Sequence, residues 1–492
     1  MRKAPLIAMT VLHDHGHGSH SAAGIILKVR LLWGLAGGLP LIKRGTAMSS
    51  AALSPSSSTP SAFAAMRTLV AERSRLQRIL DFEVALARAE AALGVVPALA
   101  TDKIADAARA ERYDLAVLSA EGAAGNAVTA LLNSLRSEVA RTDPEAARVI
   151  GFGSSEQDAL DTALAIELRE AIDLLTNDLN RAIDGFTQLA GRHRRTAAVG
   201  RVGLQQALPI PFGLKLAGYA AALTRSRERL RRLRKEALVL QFGGVGGTLA
   251  ALGENGLKVS ERLAALIDLP LPEAPCHGHS DRVAEIAGAL AVLAGTCGKI
   301  ARDVALLGQT EIAEAAELPT GRRRLATTSA AISAATLAPG LLAAVVAGQM
   351  QEHEGSIGGA LAQWQAFPPL LLATAGALGA VADIAQRLDV DAQRMRDNLD
   401  QTQGLIMAEA VTTALAAKIG REQATRIIDE AGRKVLAERR HLSVILGEDP
   451  RVTSHMTPGE LARAFELLSY QGVAQTFLDR IIGALGRSAR RP

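Results

Sequence analysis

Aromatic side chains are scarce in this chain of 492 residues: nine Phe, three Tyr and two Trp, 3% in all, while 48% of residues are apolar. The core must therefore be filled by small aliphatic groups, chiefly Ala and Leu, which pack helices closely and carry high helical propensity. Strand-like alternation is scarce too, which removes sandwiches and barrels and leaves an all-α protein as the expectation. The chain has no basic face interleaved with aromatics, so a net charge of +5 gives no reason to expect a nucleic-acid partner. Much of the basic excess lies near the ends, in Arg2, Lys3, Lys28, Arg30, Lys43, Arg44, Arg487, Arg490 and Arg491. The two cysteines, Cys276 and Cys297, are too few for a disulfide framework and wrongly spaced for a metal pair. A reducing, cytoplasmic setting is expected.

Motifs that hold cofactors are missing as well. No glycine fingerprint follows a strand, and Gly243 to Thr248 lacks the lysine of a phosphate-binding loop. Gln351-Glu352-His353-Glu354 has no second histidine at zinc-protease spacing. The run His13, His15, His17, His20 has no companion cysteine or scaffold. None of these three stretches makes a nucleotide or metal site by its own spacing.

What is present is organised around Gly200 to Gly253. Leu216, Tyr219, Leu223, Ser226, Leu230, Leu233, Ala237 and Leu240 step by threes and fours, the seam of one long helix. Arg225, Arg227, Arg229, Arg231, Arg232, Arg234 and Lys235 would face water between them. Pro209 and Pro211 force an extended lead-in, and Gly243, Gly244, Gly246 and Gly247 break the pattern at the far end. Such a rod needs long partners, so the architecture expected is an elongated central helical bundle flanked by two smaller helical domains. Residues 1–62 read as an extension and disordered leader, with the functional start at Met1 or Met48. Residues 63–150 read as an N-terminal helical domain, 151–388 as the central bundle and 389–492 as a C-terminal helical domain. Within the bundle, Ala159 to Ala190, Arg282 to Glu317 and Leu370 to Leu388 read as helices. Ala326 to Val346 carries no charge and is long enough to cross a bilayer. Its Ala, Ser, Thr and Gly content instead suits a helix buried among others, so no membrane partner is expected.

Two loops could carry chemistry. Gly151-Phe152-Gly153-Ser154-Ser155-Glu156-Gln157-Asp158 stands before a long helix, where free backbone donors favour a carboxylate or phosphate. The plain alternative is a helix cap made by Ser155 or Asp158. Cys276-His277-Gly278-His279-Ser280-Asp281-Arg282 is either an acid/base or metal site, or an exposed loop with incidental histidines.

At these loops the chain resembles the fumarase/aspartase superfamily, nearest to its bacterial 3-carboxy-cis,cis-muconate cycloisomerase branch. The resemblance rests on LDFEVALARAEAALGVVP, DPEAARVIGFGSSEQDALDTAL, GRVGLQQALPIPFGLKLAG, LQFGGVGGTLAALG, CHGHSDRVAE, GKIARDVALLGQTEIAE, QMQEHE with Trp364, and NLDQTQGLIMAEAV. It implies a homotetramer whose long helices share one bundle, with each active site built from loops of three subunits. It implies addition to a double bond of a small polycarboxylate by one of its own carboxylates, giving a γ-lactone without a cofactor. Ser155 and His277 are then the implied catalytic residues, and Gln157, Asp158, Arg201, Gln205, Gln206, Arg282 and Gln403 the substrate-binding ones. The chain departs from the pattern at Glu156, at Val202-Gly203 and at Cys276, where Trp is usual. LPTGRRRLATTS also replaces the Gly-Ser-Ser-x-Met-Pro-x-Lys-x-Asn-Pro loop that brings the superfamily's catalytic serine. The alternative expectation is thus a catalytically silent relative that keeps only the tetrameric scaffold.

Overall fold

Helix forms wherever Ala and Leu recur at three- and four-residue spacing. The computed structural model describes residues 62–122, 127–317, 326–467 and 469–489. The readings of the leader, the His run and the stretch Leu318 to Leu325 lie outside them. The N-terminal helices are α1 (Ala62–Leu69), α2 (Glu72–Ala91), α3 (Ala98–Ala107), α4 (Leu115–Gly122), α5 (Ala127–Ala140) and α6 (Pro144–Arg148). The long helices follow: α7 (Glu156–Arg192), α8 (Phe212–Glu236), α9 (Gly256–Ile267), α10 (Asp281–Leu307), α11 (Ala326–Ala347) and α12 (Gly359–Arg387). Two antiparallel ribbons interrupt them, β1 (Ala197–Val202) with β2 (Gln205–Pro211), and β3 (Ala315–Glu317) with β4 (Leu388–Val390). Shorter helices close the chain: α13 (Ala392–Asp400), α14 (Ala408–Ile419), α15 (Arg421–Glu438), α16 (Leu442–Gly447), α17 (Pro450–Thr453), α18 (Pro458–Ala464) and α19 (Ala474–Ala489). The fold is all-α, as expected.

The seam of α8 is buried where the spacing placed it. Leu216, Leu223, Leu230 and Leu233 are fully covered, each burial worth about 1.5–3 kcal/mol. Their partner is α7, whose 37 residues run about 55 Å, with α10 and α12 beside them. One continuous apolar cluster reaches from Met66 to Met395 and takes in Leu478 and Leu485 of α19. A separate one joins α14 to α18.

Four local expectations are corrected. Arg227 does not face water: it is buried, donating from Nη1 to Asn180 Oδ1 at 2.8 Å. The helix from Arg282 stops at Leu307 rather than Glu317, because Ala313 turns left-handed (φ 55°) and Ala315–Glu317 pair with Leu388–Val390. Pro368 and Pro369 lie inside α12, which begins at Gly359. Helix α11 forms as read, yet only 17% of its most apolar stretch is buried within one chain. By length and composition three of the described helices could span a bilayer, Asp281–Leu307, Thr327–Ala347 and Gly359–Arg387.

Candidate active site

The site begins at the turn before α7. Gly151 (φ 72°) and Gly153 (φ 71°) take left-handed backbone that side-chain-bearing residues resist. They deliver Ser155 to the N-cap, where its Oγ accepts from the Asp158 N–H at 3.2 Å. The Asp158 carboxylate returns to the Ser155 N–H at 2.7 Å, completing a capping box. The capping reading of this loop is therefore correct.

Asp158 does far more than cap. It is fully buried, and its two oxygens accept five hydrogen bonds. Oδ1 takes the Gly243 N–H at 2.8 Å and His277 Nε2 at 2.7 Å. Oδ2 takes Ser155 N–H at 2.7 Å, Ser155 Oγ at 2.9 Å and the Gly244 N–H at 2.9 Å. One carboxylate thus ties the α7 turn, the glycine segment after α8 and the histidine loop before α10 into one unit. The glycines are required by closeness. A methyl group on Gly243 would lie 2.7 Å from Pro275 Cβ and 2.8 Å from His277 Cε1. Thr162 secures the same segment by donating its hydroxyl to the Gln241 carbonyl at 2.7 Å, and Gln241 Oε1 accepts from the Cys276 N–H at 3.3 Å.

His277 is 8% exposed, and its proton affinity is raised above the usual imidazole range. The hydrogen bond that His277 donates to Asp158 dominates, burial opposes it, and the charges of Asp158 and Asp161 add to it. Its Nδ1 faces Gly247 and has no hydrogen-bond partner among the described residues. Asp161, one turn along α7, is pushed up to about 6 by burial, against the Gln157 amide and His277. Gln157 Nε2 donates to Asp161 Oδ1 at 2.7 Å. Glu156 turns from the turn toward α5, accepting from Thr129 Oγ1 at 2.7 Å. Arg282 approaches Glu273 at 3.6 Å with Nη2, while its Nη1 is buried without a partner. That is a free cationic donor beside the histidine loop. Asp161, Gln241, Cys276, His279, Ser280, Gln351 and Gln363 line a pocket of only ≈ 30 Å³, against about 300–1,000 Å³ for small-molecule sites.

The remaining sequence-derived residues gather elsewhere. Arg201, on β1, makes a two-pronged pair with the fully buried Glu314, Nη2 to Oε1 at 2.6 Å and Nη1 to Oε2 at 2.8 Å. Asn398 Nδ2 adds a bond to Glu314 Oε1 at 2.9 Å, and Gln401 Nε2 holds Asn398 Oδ1 at 2.7 Å. Gln205 and Gln206 are exposed at the start of β2. Gln403 is exposed, left-handed (φ 51°), and its carbonyl accepts from the Leu442 N–H. Among the described residues no hydrogen bond or ion pair joins this cluster to Asp158 and His277. Sequence reading gave no role to Asp161 or Glu314. The three-residue step from Asp158 to Asp161 on one helix face was the available signal for the first. For Glu314 there was none, because its burial depends on the β3–β4 pairing.

Comparison with known proteins identifies the family. The family described as Lyase matches residues 59–324, and Adenylosuccinate lyase C-terminus matches residues 404–481. The 3-carboxy-cis,cis-muconate cycloisomerase of Bradyrhizobium diazoefficiens is 52% identical over 450 residues, covering 89% of this chain and 100% of that protein. The Pseudomonas aeruginosa protein of the same name is 45% identical over 431 residues, covering 85% and 94%. The crystal structure of 3-carboxy-cis,cis-muconate lactonizing enzyme from Pseudomonas putida superposes with a TM-score of 0.83 at 43% identity, covering 86% of this chain and 97% of that one. The chain belongs to the fumarase/aspartase superfamily of lyases, in its 3-carboxy-cis,cis-muconate cycloisomerase branch.

Proposed function

We propose that this chain is a 3-carboxy-cis,cis-muconate cycloisomerase. A carboxylate oxygen of the substrate bonds to one alkene carbon while a proton reaches the neighbouring carbon. No atom is lost, no electron is transferred, and the product is a γ-carboxymuconolactone of protocatechuate breakdown. The observation that carries this is 52% identity over 450 residues to a relative matched along its entire length. The site chemistry fits the reaction. In this reading His277, held toward its charged form by Asp158, keeps a proton beside the cleft, and the unpartnered Nη1 of Arg282 meets a substrate carboxylate. Ser155, with Gln157 and Asp158, builds the frame rather than the reacting groups, and no cofactor is called for.

The reading includes a homotetramer with sites shared between subunits, a cytoplasmic location, no membrane, and the division into 63–150, 151–388 and 389–492. What supports assembly is threefold. Helix α11 leaves Leu337 61% and Val346 46% exposed. The pocket beside His277 is too small alone. Arg201, Gln205, Gln206 and Gln403 stand apart from Asp158 and His277. Helices α10 and α12, the other two apolar rods, are half or more buried in their most apolar stretches, which favours a bundle over a bilayer.

Similarity over 89% of this chain does not favour the silent-relative alternative. The test is direct: purified protein is mixed with carboxymuconate and its ultraviolet absorbance followed, with sedimentation run in parallel. Turnover by a tetramer is expected. A well-assembled tetramer that leaves the absorbance unchanged would overturn the catalytic reading.

A further inference from the structure

Helix α2 carries two acids where its pattern calls for apolar side chains. Glu83 is 2% exposed and Glu90 fully covered, among Ile79, Leu80, Phe82 and Leu86. All four carboxylate oxygens are buried with no hydrogen-bond partner. Each such group costs about 1–3 kcal/mol if it is merely structural. Glu83 lies directly under the turn that builds the site. A methyl group on Gly151 would be 3.2 Å from Arg136 Nη2 and 3.6 Å from both Glu83 Oε2 and Ser154 Oγ. An acid from α2, a guanidinium from α5 and a hydroxyl of the turn thus converge on one left-handed glycine. Arg136 spends Nη2 on the Ile150 carbonyl at 3.3 Å and makes no ion pair with Glu83.

The charges facing Glu83 are few. Arg136 comes from α5, Asp158 from α7, and Glu90 lies two turns along α2. The other elements against α2 turn their charged groups to solvent: Arg67 of α1, Asp102, Lys103 and Asp106 of α3, Glu111 and Arg112 before α4, and Lys258, Glu261 and Arg262 of α9. Burial, aided by the Asp158 charge and opposed by Arg136 and the nearby Gly151 N–H, pushes the Glu83 carboxyl up to about 7.

We propose that Glu83 is a positioning residue for the site: uncharged, it fills the space beneath the Gly151–Ser155 turn, and on losing its proton it draws Arg136 from the Ile150 carbonyl and loosens that turn. The only step is loss of a proton to solvent and exchange of one hydrogen bond for an ion pair. Asp158, fixed as an acceptor by five donors, cannot move aside from the new charge, so the strain falls on the glycine turn. Any effect on catalysis rests on the cycloisomerase reading; the motion of the turn does not.

The test therefore reads the turn itself. Hydrogen exchange of the peptide spanning 150–160 is measured on the full chain at pH 6 and pH 8.5, corrected for intrinsic rates. The wild-type protein should lose about tenfold protection across that interval, and Glu83→Gln should lose none. Equal losses in both proteins would overturn the proposal. Should Glu83→Gln fail to fold, Arg136→Gln decides. With the cation gone there is nothing for the ionised carboxylate to draw from the Ile150 carbonyl, so the pH-dependent loss should be absent, and a loss as large as that of the wild type would overturn the idea. With carboxymuconate as substrate, the alkaline fall in kcat/KM should be shallower in Glu83→Gln, which keeps only the part set by His277. Exchange results as expected with no turnover in any variant would fault the functional reading alone.

Discussion

Replacing Asp158 by asparagine keeps the shape of the side chain and removes its charge, and the consequences can be counted bond by bond. The amide supplies one acceptor oxygen where the carboxylate has two. Placed at the Oδ2 position, its NH2 would confront three donors, Ser155 N–H, Ser155 Oγ–H and Gly244 N–H. Placed at Oδ1, it confronts the Gly243 N–H and His277, and His277 can switch tautomer to accept. The second arrangement is therefore the one the variant should adopt. It leaves the Gly243 N–H buried and unpaired, at about 1–3 kcal/mol, and weakens the three surviving bonds by taking away their charge assistance. The sum is a loss of about 3–5 kcal/mol, the range for breaking a buried charged network. Urea denaturation followed by circular dichroism measures it. The pH dependence adds a second signature. His277 binds its proton more tightly in the folded state, so its pair with Asp158 stabilises fully below the unfolded value of 6.5 and is lost as pH rises through the raised folded value. Asp158→Asn should erase that component. A variant within about 1 kcal/mol of wild type at pH 6, with the same pH profile, would refute the view of Asp158 as the bracket of the site.

The neighbouring contacts give sharper local tests. Gly243→Ala must push Pro275 and His277 apart, and should cost about 1–3 kcal/mol in a thermal melt and slow carboxymuconate turnover more than it raises KM. Burial, with the charge of Glu83 adding, pushes the Glu90 carboxyl from 4.5 up to about 8, so the folded protein binds more protons across that window and its stability falls as pH rises through it. Glu90→Gln should then match wild type near pH 5 and exceed it by about 2–4 kcal/mol above pH 8.5, as read from urea midpoints at both pH values. Arg201→Lys gives up one prong of the pair with Glu314 and leaves a buried carboxylate half-satisfied, lowering stability by about 1–3 kcal/mol in the same assay. Leu337→Asp on the open face of α11 should shift the sedimentation of the protein toward the monomer.

Much of this was legible before any coordinates. The seam from Leu216 to Leu233, the proline-forced strand before it and the Ser155 cap are local consequences of spacing, fixed φ and a hydroxyl at a helix start. The misread features are those decided by distant chain. Helix α10 stops at Leu307 because Ala315–Glu317 find Leu388–Val390, a partner seventy residues on. Arg227 leaves the solvated face because Asn180 of α7 waits at its level. Pro368 and Pro369 are tolerated within α12 because α7, α10 and α11 pack along it.

The same distinction explains what became of the candidate site. Ser155, Gln157, Asp158, His277 and Arg282 come from two loops far apart in sequence, and hydrogen bonds from Ser155 and His277 to Asp158 tie those loops together. Most of them are committed: Ser155 to its cap, Gln157 to Asp161 and Asp158 to five donors. The polar groups left unspent include His277 Nδ1 and the buried Arg282 Nη1. A site for a polyanion is made by such leftovers, since a group already satisfied by the fold has nothing to offer a ligand. The family resemblance names candidate residues, but only the hydrogen-bond inventory separates those that build the frame from those with a group left to offer a ligand. By that inventory, changing Arg282 should raise KM while leaving the fold intact, whereas changing Asp158 should dismantle the fold of the site itself.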